Sequence, residues 1–310
     1  MTLTPPHRTI RALTRLAHRL GRMPTLDDFA ARPLAQRAAE QPPRWSLLAA
    51  PAGVETEDLA VPARDGKVPI RVYRPAGLSG RGLLYLHGGG FMAGGFGACH
   101  HILLDLASRT GDVVVSVEYR LAPDHPFPAG LDDCEDALDW YLAQAPQMGV
   151  DPARIAAGGD SAGGNLAAAL CLRRRDAGRA QPAKQVIIYP MLDLTCARES
   201  WVSEAAPPLT RTGAAQVMLS YADGRDVTSP ELSPLFAEDL GGLPPALVVT
   251  AQHDTLRDDG NEYAAKLRDA GTPVRLVEYP GMPHGFLSLP RLNPKQYDAC
   301  LLAVVDHLTS

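Results

Sequence analysis

What the chain lacks narrows its function first. None of its 310 residues lies in a run of the ~18 apolar positions that a membrane-spanning helix needs, so no integral membrane span is expected. Lys and Arg together number 30 against 35 Asp and Glu, a formal net charge of −5. With no overall basic excess to grip a phosphate backbone, nucleic acid is not an expected partner. Only five cysteines occur, Cys99, Cys134, Cys171, Cys196 and Cys300, and no two of them form a Cys-x-x-Cys pair. An odd, scattered set argues against a disulfide framework and against structural zinc. Reduced, mostly buried thiols in a cytoplasm are expected instead. No His-Glu-x-x-His or similar metal spacing occurs, and neither metal nor cofactor is expected. Internal repeats and low-complexity segments are also absent.

The charge that is present is unevenly spread. Residues 1–23 hold Arg8, Arg11, Arg15, Arg19 and Arg22 and no acid. Ile10, Leu13, Leu16, Leu20 and Met23 interleave with them. A three-to-four-residue period of this kind describes an amphipathic helix with a basic face. The segment lacks the continuous apolar stretch of a secretory signal; a transit peptide or a membrane-surface helix competes with a helix packed on the protein's own body.

Beyond about residue 50 the pattern becomes one of strands and helices in alternation. Leu59–Val61 and Val68–Tyr73 read as strands joined by a turn at Asp65-Gly66. Gly82–Leu86, Val113–Tyr119, Ile155–Ala157, Val186–Tyr189 and Ala246–Thr250 are apolar on both faces, and Val274–Tyr279 alternates more. Strands buried on both faces belong to parallel sheets covered by helices. Helices are expected over Asp132–Gln144, Ala162–Arg175, Asp258–Ala270 and Pro294–Leu308. The fold class that follows is α/β, with a mainly parallel sheet of about eight strands. From Pro190 to Pro245 no convincing strand occurs, and so long a connection reads as a cap with some helix.

Three constellations carry chemistry. Gly159-Asp160-Ser161-Ala162-Gly163 fits Gly-x-Ser-x-Gly between an expected strand and an expected helix, the context of a nucleophile elbow. Taken alone, it also fits a serine N-cap with glycines in a plain turn. His87-Gly88-Gly89-Gly90 directly follows a strand, and consecutive glycines let backbone N–H groups face a ligand. Gly88-x-Gly90-x-x-Ala93 also matches a dinucleotide fingerprint, but the next acid at a strand end, Glu118, comes later than that fingerprint requires. A phosphate-binding P-loop fails because Gly164 stands where lysine is needed. Downstream, Asp254 follows one strand and His284 the next, giving the order Ser161, Asp254, His284 found in α/β-hydrolases. Asp258 and Asp259 are rivals for the acid, but they read as first-turn helix acids. Of the other histidines, His253 precedes the acid, His307 lies in the last helix, and His7 and His18 belong to the basic segment. His100 and His101 follow the glycine loop on a helix, where contact with substrate and a plain surface role are both open.

At this point the chain resembles the hormone-sensitive-lipase family of α/β-hydrolase esterases, of the bacterial family IV type. The segments are His87–Gly90 (HGGG), Glu118–Ala129 (EYRLAPDHPFPA), Gly159–Gly164 (GDSAGG), Tyr189–Asp193 (YPMLD), Asp254–Gly260 (DTLRDDG) and His284–Phe286 (HGF). They run in family order over residues 50–308. The resemblance implies Ser161 as nucleophile, Asp254 as acid and His284 as base. It also implies an oxyanion hole from the N–H groups of Gly89, Gly90 and Ala162, with Gly88 shaping the loop. Thr255 stands where the family usually has proline, which should loosen the acid loop. Asp160 is expected in a structural salt bridge.

The expected protein is a serine carboxylesterase for short-to-medium acyl esters, acting as monomer or homodimer on a small-molecule ester. An amidase or a deacetylase of a specific metabolite is an alternative; a non-catalytic receptor fits less well, because His284 is present. Residues 1–48 and about 193–235 are expected to form the cap of a catalytic domain spanning 49–310. On that reading the basic segment is a cap helix.

Overall fold

The protein is described by a computed structural model over residues 32–39, 41–204 and 211–310. The basic segment and the middle of the expected cap insertion lie outside the described residues. The described residues begin with a short helix, Leu34–Ala38 (α1), followed by a hairpin of Val54–Ala63 (β1) and Gly66–Pro75 (β2). The hairpin strands are far longer than the apolar pattern predicts. Most of β1 is exposed, so it carries little hydrophobic alternation, and its ten-residue pairing with β2 defines it instead. The turn is also shifted by one residue from the expected Asp65-Gly66. Ala63 pairs with Gly66, leaving Arg64-Asp65 at the tip, and Gly66 re-enters the ladder at φ 103°.

The remaining strands are Gly82–Leu86 (β3), Val113–Val117 (β4), Ile155–Asp160 (β5), Gln185–Ile188 (β6), Ala246–His253 (β7) and Val274–Pro283 (β8). They form one eight-stranded sheet in the order β1-β2-β4-β3-β5-β6-β7-β8. β2 runs antiparallel to both neighbours, and β4 through β8 are parallel. The central strands β3, β4 and β6 are buried along their whole length, as the doubly apolar runs predict.

Helices cover both faces. Ala129–Gln144 (α3), Ala162–Asp176 (α4) and Arg257–Asp269 (α7) pack on one face through residues such as Leu131, Leu138, Leu166, Leu170, Tyr263 and Leu267. Phe96–Thr110 (α2) and Pro294–Thr309 (α8) cover the other through Ile102, Leu103, Leu106, Leu301 and Val304. Among the described residues, the long connection after β6 contains no strand. It holds the short helix Ser200–Ser203 (α5), the helix Arg211–Ala222 (α6) and a 3-10 turn at Pro234–Phe236.

All the parallel strands end at one edge of the sheet, and two close approaches there set the geometry. The first is between β3 and the start of α4: a Cβ on Gly163 would sit 1.9 Å from the Leu86 carbonyl oxygen. The second is a bulge between β7 and β8, after which His253 pairs with Pro283. The next residues on the two strands are Asp254 and His284.

The β3–α4 contact is backbone on one side, so it cannot yield by a side-chain rotation. Gly163→Ala is expected to cost at least about 3 kcal/mol, the upper range for overpacking, and to lower the urea midpoint accordingly. A variant as stable as wild type would show that α4 can withdraw from β3.

Candidate active site

Ser161 sits at the corner between β5 and α4 with φ 56° and ψ −118°. A non-glycine residue there costs about 1–3 kcal/mol and persists only where its surroundings fix it. Those surroundings are visible. The Ser161 N–H donates to Ile188 O at 2.9 Å, and its carbonyl accepts from Met191 N at 3.3 Å. β6 and the chain just after it therefore hold the corner, and small residues on either side let it form.

The corner lifts the Ser161 hydroxyl toward the loop after β8. His284 Nε2 lies 3.0 Å from Ser161 Oγ, and His284 Nδ1 lies 2.8 Å from Asp254 Oδ2. Asp254 is 1% exposed, and its other oxygen accepts the Leu256 N–H at 2.9 Å. With the imidazole hydrogen on Nδ1, Nε2 is an acceptor for the serine hydroxyl. The ring of Tyr189 meets His284 edge-on at 5.1 Å. The structure thus brings together the three residues expected from the sequence order. The Arg257 N–H also returns to Asp254 O at 3.1 Å, so the loop bearing Thr255 is tied at two points.

The glycine loop faces the same corner. Gly88 N–H donates to Asp160 Oδ1 at 3.0 Å, and a Cβ on Gly88 would fall 2.6 Å from Asp160 Oδ2. Among the described residues, no acceptor takes the N–H groups of Gly89, Gly90 or Ala162. Gly89 has φ 131°, and its carbonyl accepts from Met92 and Ala93, closing a turn. α2 begins only at Phe96, beyond the Gly88–Ala93 stretch that resembles a dinucleotide fingerprint.

The expected salt bridge of Asp160 is corrected here. Among the described residues no cation pairs with it; instead it accepts from Tyr85 Oη and Gly88 N, each at 3.0 Å. Both partners come from β3 and the loop just past its end, beside which β5 runs in parallel with Leu86 opposite Gly159. Burial raises its pKa. His87 is fully buried. It stacks on Tyr119 at 4.2 Å, with Nδ1 2.8 Å from Gly88 O. Burial lowers its pKa to about 4.

The other sequence candidates fall outside this chain of contacts. His100 Nδ1 is 3.0 Å from Tyr73 Oη, and His101 Nε2 is 3.0 Å from Leu287 O, both on α2. His253 pairs with Glu204, and His307 lies on α8. Asp258 and Asp259 do occupy the first turn of α7, but dipole compensation is not their whole role. Asp258 accepts Ser200 N at 2.9 Å, and buried Asp259 accepts Leu192 N and Asp193 N at 2.8 and 2.9 Å. Asn165, not singled out from the sequence, donates to Met191 O and Leu232 O at 2.7 and 2.8 Å. One amide thus pins both roots of the insertion to α4. Its place directly after GDSAGG was the available signal. The five cysteines are free and buried. Among the described residues no His, Cys, Asp and Glu cluster could hold a metal ion, and no helix is long and apolar enough to cross a membrane.

Known proteins resemble this chain in sequence and in fold. A family profile described as alpha/beta hydrolase fold matches residues 83–288, and the chain belongs to that family. The carboxylic ester hydrolase LipN of Mycobacterium tuberculosis is 41% identical over 250 residues, which span 77% of this chain and 66% of that relative. The carboxylesterase NlhH of the same organism is 38% identical over 239 residues, 75% of each chain. An ester hydrolase from the metagenome of Lake Arreo, solved with a bipyridine phosphonate derivative, is 35% identical with a TM-score of 0.86 and covers 100% of both chains. The resemblance to hormone-sensitive-lipase-type esterases is borne out by these matches.

Burial of His87 as a neutral ring predicts an acid-side instability. Its folded pKa of about 4 lies below the ordinary imidazole value of about 6.5, so between these values the unfolded chain binds the proton and the folded protein does not. Stability is full above about pH 6.5 and falls toward pH 4, by about 3 kcal/mol for this group. Urea melts of wild type and His87→Gln at pH 7 and 4.5 measure the share due to His87. Equal pH losses in the two proteins would contradict it.

Proposed function

We propose that the chain is a serine carboxylesterase. The observation that carries the reading is the continuous line from Ser161 Oγ to His284 Nε2 at 3.0 Å and from His284 Nδ1 to Asp254 Oδ2 at 2.8 Å. The names of its relatives point to the same substrate class. His284 takes the hydroxyl proton as Ser161 Oγ attacks the ester carbonyl carbon. The negative charge that develops on the carbonyl oxygen is held by the N–H groups of Gly89, Gly90 and Ala162. His284 then protonates the leaving alcohol, and an acyl group remains on Ser161. Water, deprotonated by the same imidazole, attacks the acyl carbon, the bond to Ser161 Oγ breaks, and the imidazolium returns the proton to Oγ as the acid leaves. Asp254 holds the ring tautomer and stabilises the imidazolium.

The substrate range proposed is short-to-medium acyl esters, under a cap formed by residues 1–48 and about 193–235. Supporting the cap is Val217 of α6, whose Cγ1 would lie 3.4 Å from a Cβ on Gly90. Deleting residues 1–31 is expected to change the rank order of p-nitrophenyl esters from acetate upward. An unchanged order would remove that segment from the cap. Matched ester and anilide substrates separate this function from an amidase.

Ser161→Ala is expected to fold and to lose more than about 10⁴-fold in kcat on p-nitrophenyl acetate, and Asp254→Asn about 10⁴-fold. Asp258→Asn should keep most of the turnover, because its carboxylate serves Ser200. A near-wild-type Asp254→Asn beside an inactive Asp258→Asn would reassign the acid.

A further inference from the structure

One buried cation holds the glycine loop from the N-terminal side. Arg37, on α1, is 1% exposed. One terminal nitrogen of its guanidinium donates to Met92 O at 2.6 Å and to Ala122 O at 2.5 Å. The other donates to the Asp124 carboxylate, and Nε donates to Arg32 O at 3.0 Å. The backbone of Arg37 joins in, its carbonyl accepting Gly94 N–H at 2.9 Å. Met92 and Ala93 return their own N–H groups to Gly89 O at 3.2 and 3.0 Å, and Ala122 N–H donates to Phe91 O at 2.9 Å. Phe91, inside this turn, has φ 62° and stacks on Tyr221 of α6 at 3.9 Å. A strained turn of this kind keeps its shape only through its contacts, and Arg37 fastens it at Met92, at Gly94 and, through Ala122, at Phe91.

We infer that Arg37 is a positioning residue for the oxyanion hole: its guanidinium fixes the Gly89–Gly94 turn that presents the Gly89 and Gly90 N–H groups. This rests on the oxyanion reading proposed above. Arg37 itself is sealed from substrate, so its effect passes through the backbone. Donors must stand 2.7–3.1 Å from the developing oxyanion, a position the ground-state carbonyl does not occupy. Loosening the turn therefore acts on kcat rather than on KM. Lysine is not an equivalent, since a single ammonium cannot reproduce a planar fork bridging two carbonyls and a carboxylate.

The test uses the full chain with Arg37→Met, Arg37→Lys, Asp124→Asn and Ser161→Ala, assayed on p-nitrophenyl acetate. A trifluoromethyl ketone is the second probe. Ser161 adds to its carbonyl carbon, the serine proton passes to His284, and an oxyanion stays in the hole. Arg37→Met is expected to lose about 10–100-fold in kcat, the scale of a misplaced oxyanion donor, with KM within about threefold. The ketone inhibition constant should rise by the same factor as kcat/KM falls. Arg37→Lys should fall between, and Asp124→Asn should stay within about threefold of wild type, because both carbonyl contacts remain. A folded Arg37→Met with wild-type kcat, or a loss of kcat with unchanged ketone affinity, overturns the inference. If Arg37→Met does not fold, Arg37→Lys decides, and wild-type kcat there overturns it. A wild-type enzyme without Ser161-dependent turnover takes down the esterase reading and this inference together. Ser161-dependent turnover indifferent to Arg37 takes down the inference alone.

Discussion

The site depends on how closely the first turn of α4 can approach the end of β3. At Gly163 the two backbones leave no room for a single carbon, with 1.9 Å between a built Cβ and Leu86 O. This approach brings Ala162 N–H, at the positive end of α4, beside the loop that leaves β3 at His87. It also forces the chain to reverse within one residue, which is why Ser161 takes a positive φ. The strain at the serine and the closeness of the start of α4 to the end of β3 therefore share one cause. A longer turn would relieve the first and lose the second.

Around this corner, buried polar side chains act as fasteners between segments distant in sequence. Asp160 ties the glycine loop to β3 through Gly88 N and Tyr85 Oη. Asn165 joins the two ends of the insertion, and Asp259 holds Leu192 and Asp193 from α7. Ser200 of α5 donates to Thr255 O at 2.7 Å, inside the loop that follows Asp254. Charged or amide groups in such places cost desolvation unless their partners are well placed. Their return is a unique arrangement. The insertion is attached at points adjacent to the serine corner and to the acid loop, so any shift of its roots is felt at Ser161 and Asp254.

The central architecture was legible because the parallel strands are buried on both faces, and burial on both faces leaves continuous apolar runs. The apolar runs locate β3 to the residue, and β4, β6 and the helices α3, α4, α7 and α8 within a few positions, whereas the bounds of α2 are not marked by the pattern. β1 was not, since an edge strand facing solvent obeys its neighbour's hydrogen-bonding groups rather than a hydrophobic period. The order Ser161, Asp254, His284 was also readable, because each lies just past a strand. What brings Asp254 beside His284 is the irregular pairing of β7 with β8, and a bulge leaves no mark in composition. Asp160 has no salt bridge among the described residues, and Asp259 does more than its place in the first turn of α7 indicates, because each accepts backbone amides that carry no sequence signature.

Arg37 shows the same blindness from the other direction. Arg37 stands among Leu34, Ala35 and Ala38 with no motif around it that singles it out. Its partners are carbonyls 55 and 85 residues away. Carbonyls bound by a buried guanidinium are set by the path of the backbone, which in turn follows from the turn at Gly89 and the loop from Leu121 to Pro128. The helix α1, expected only as part of the cap, is therefore coupled to the glycine loop by a contact that requires both loops to be folded. α1 and the glycine loop hold each other, and neither has a complete set of hydrogen-bond partners alone.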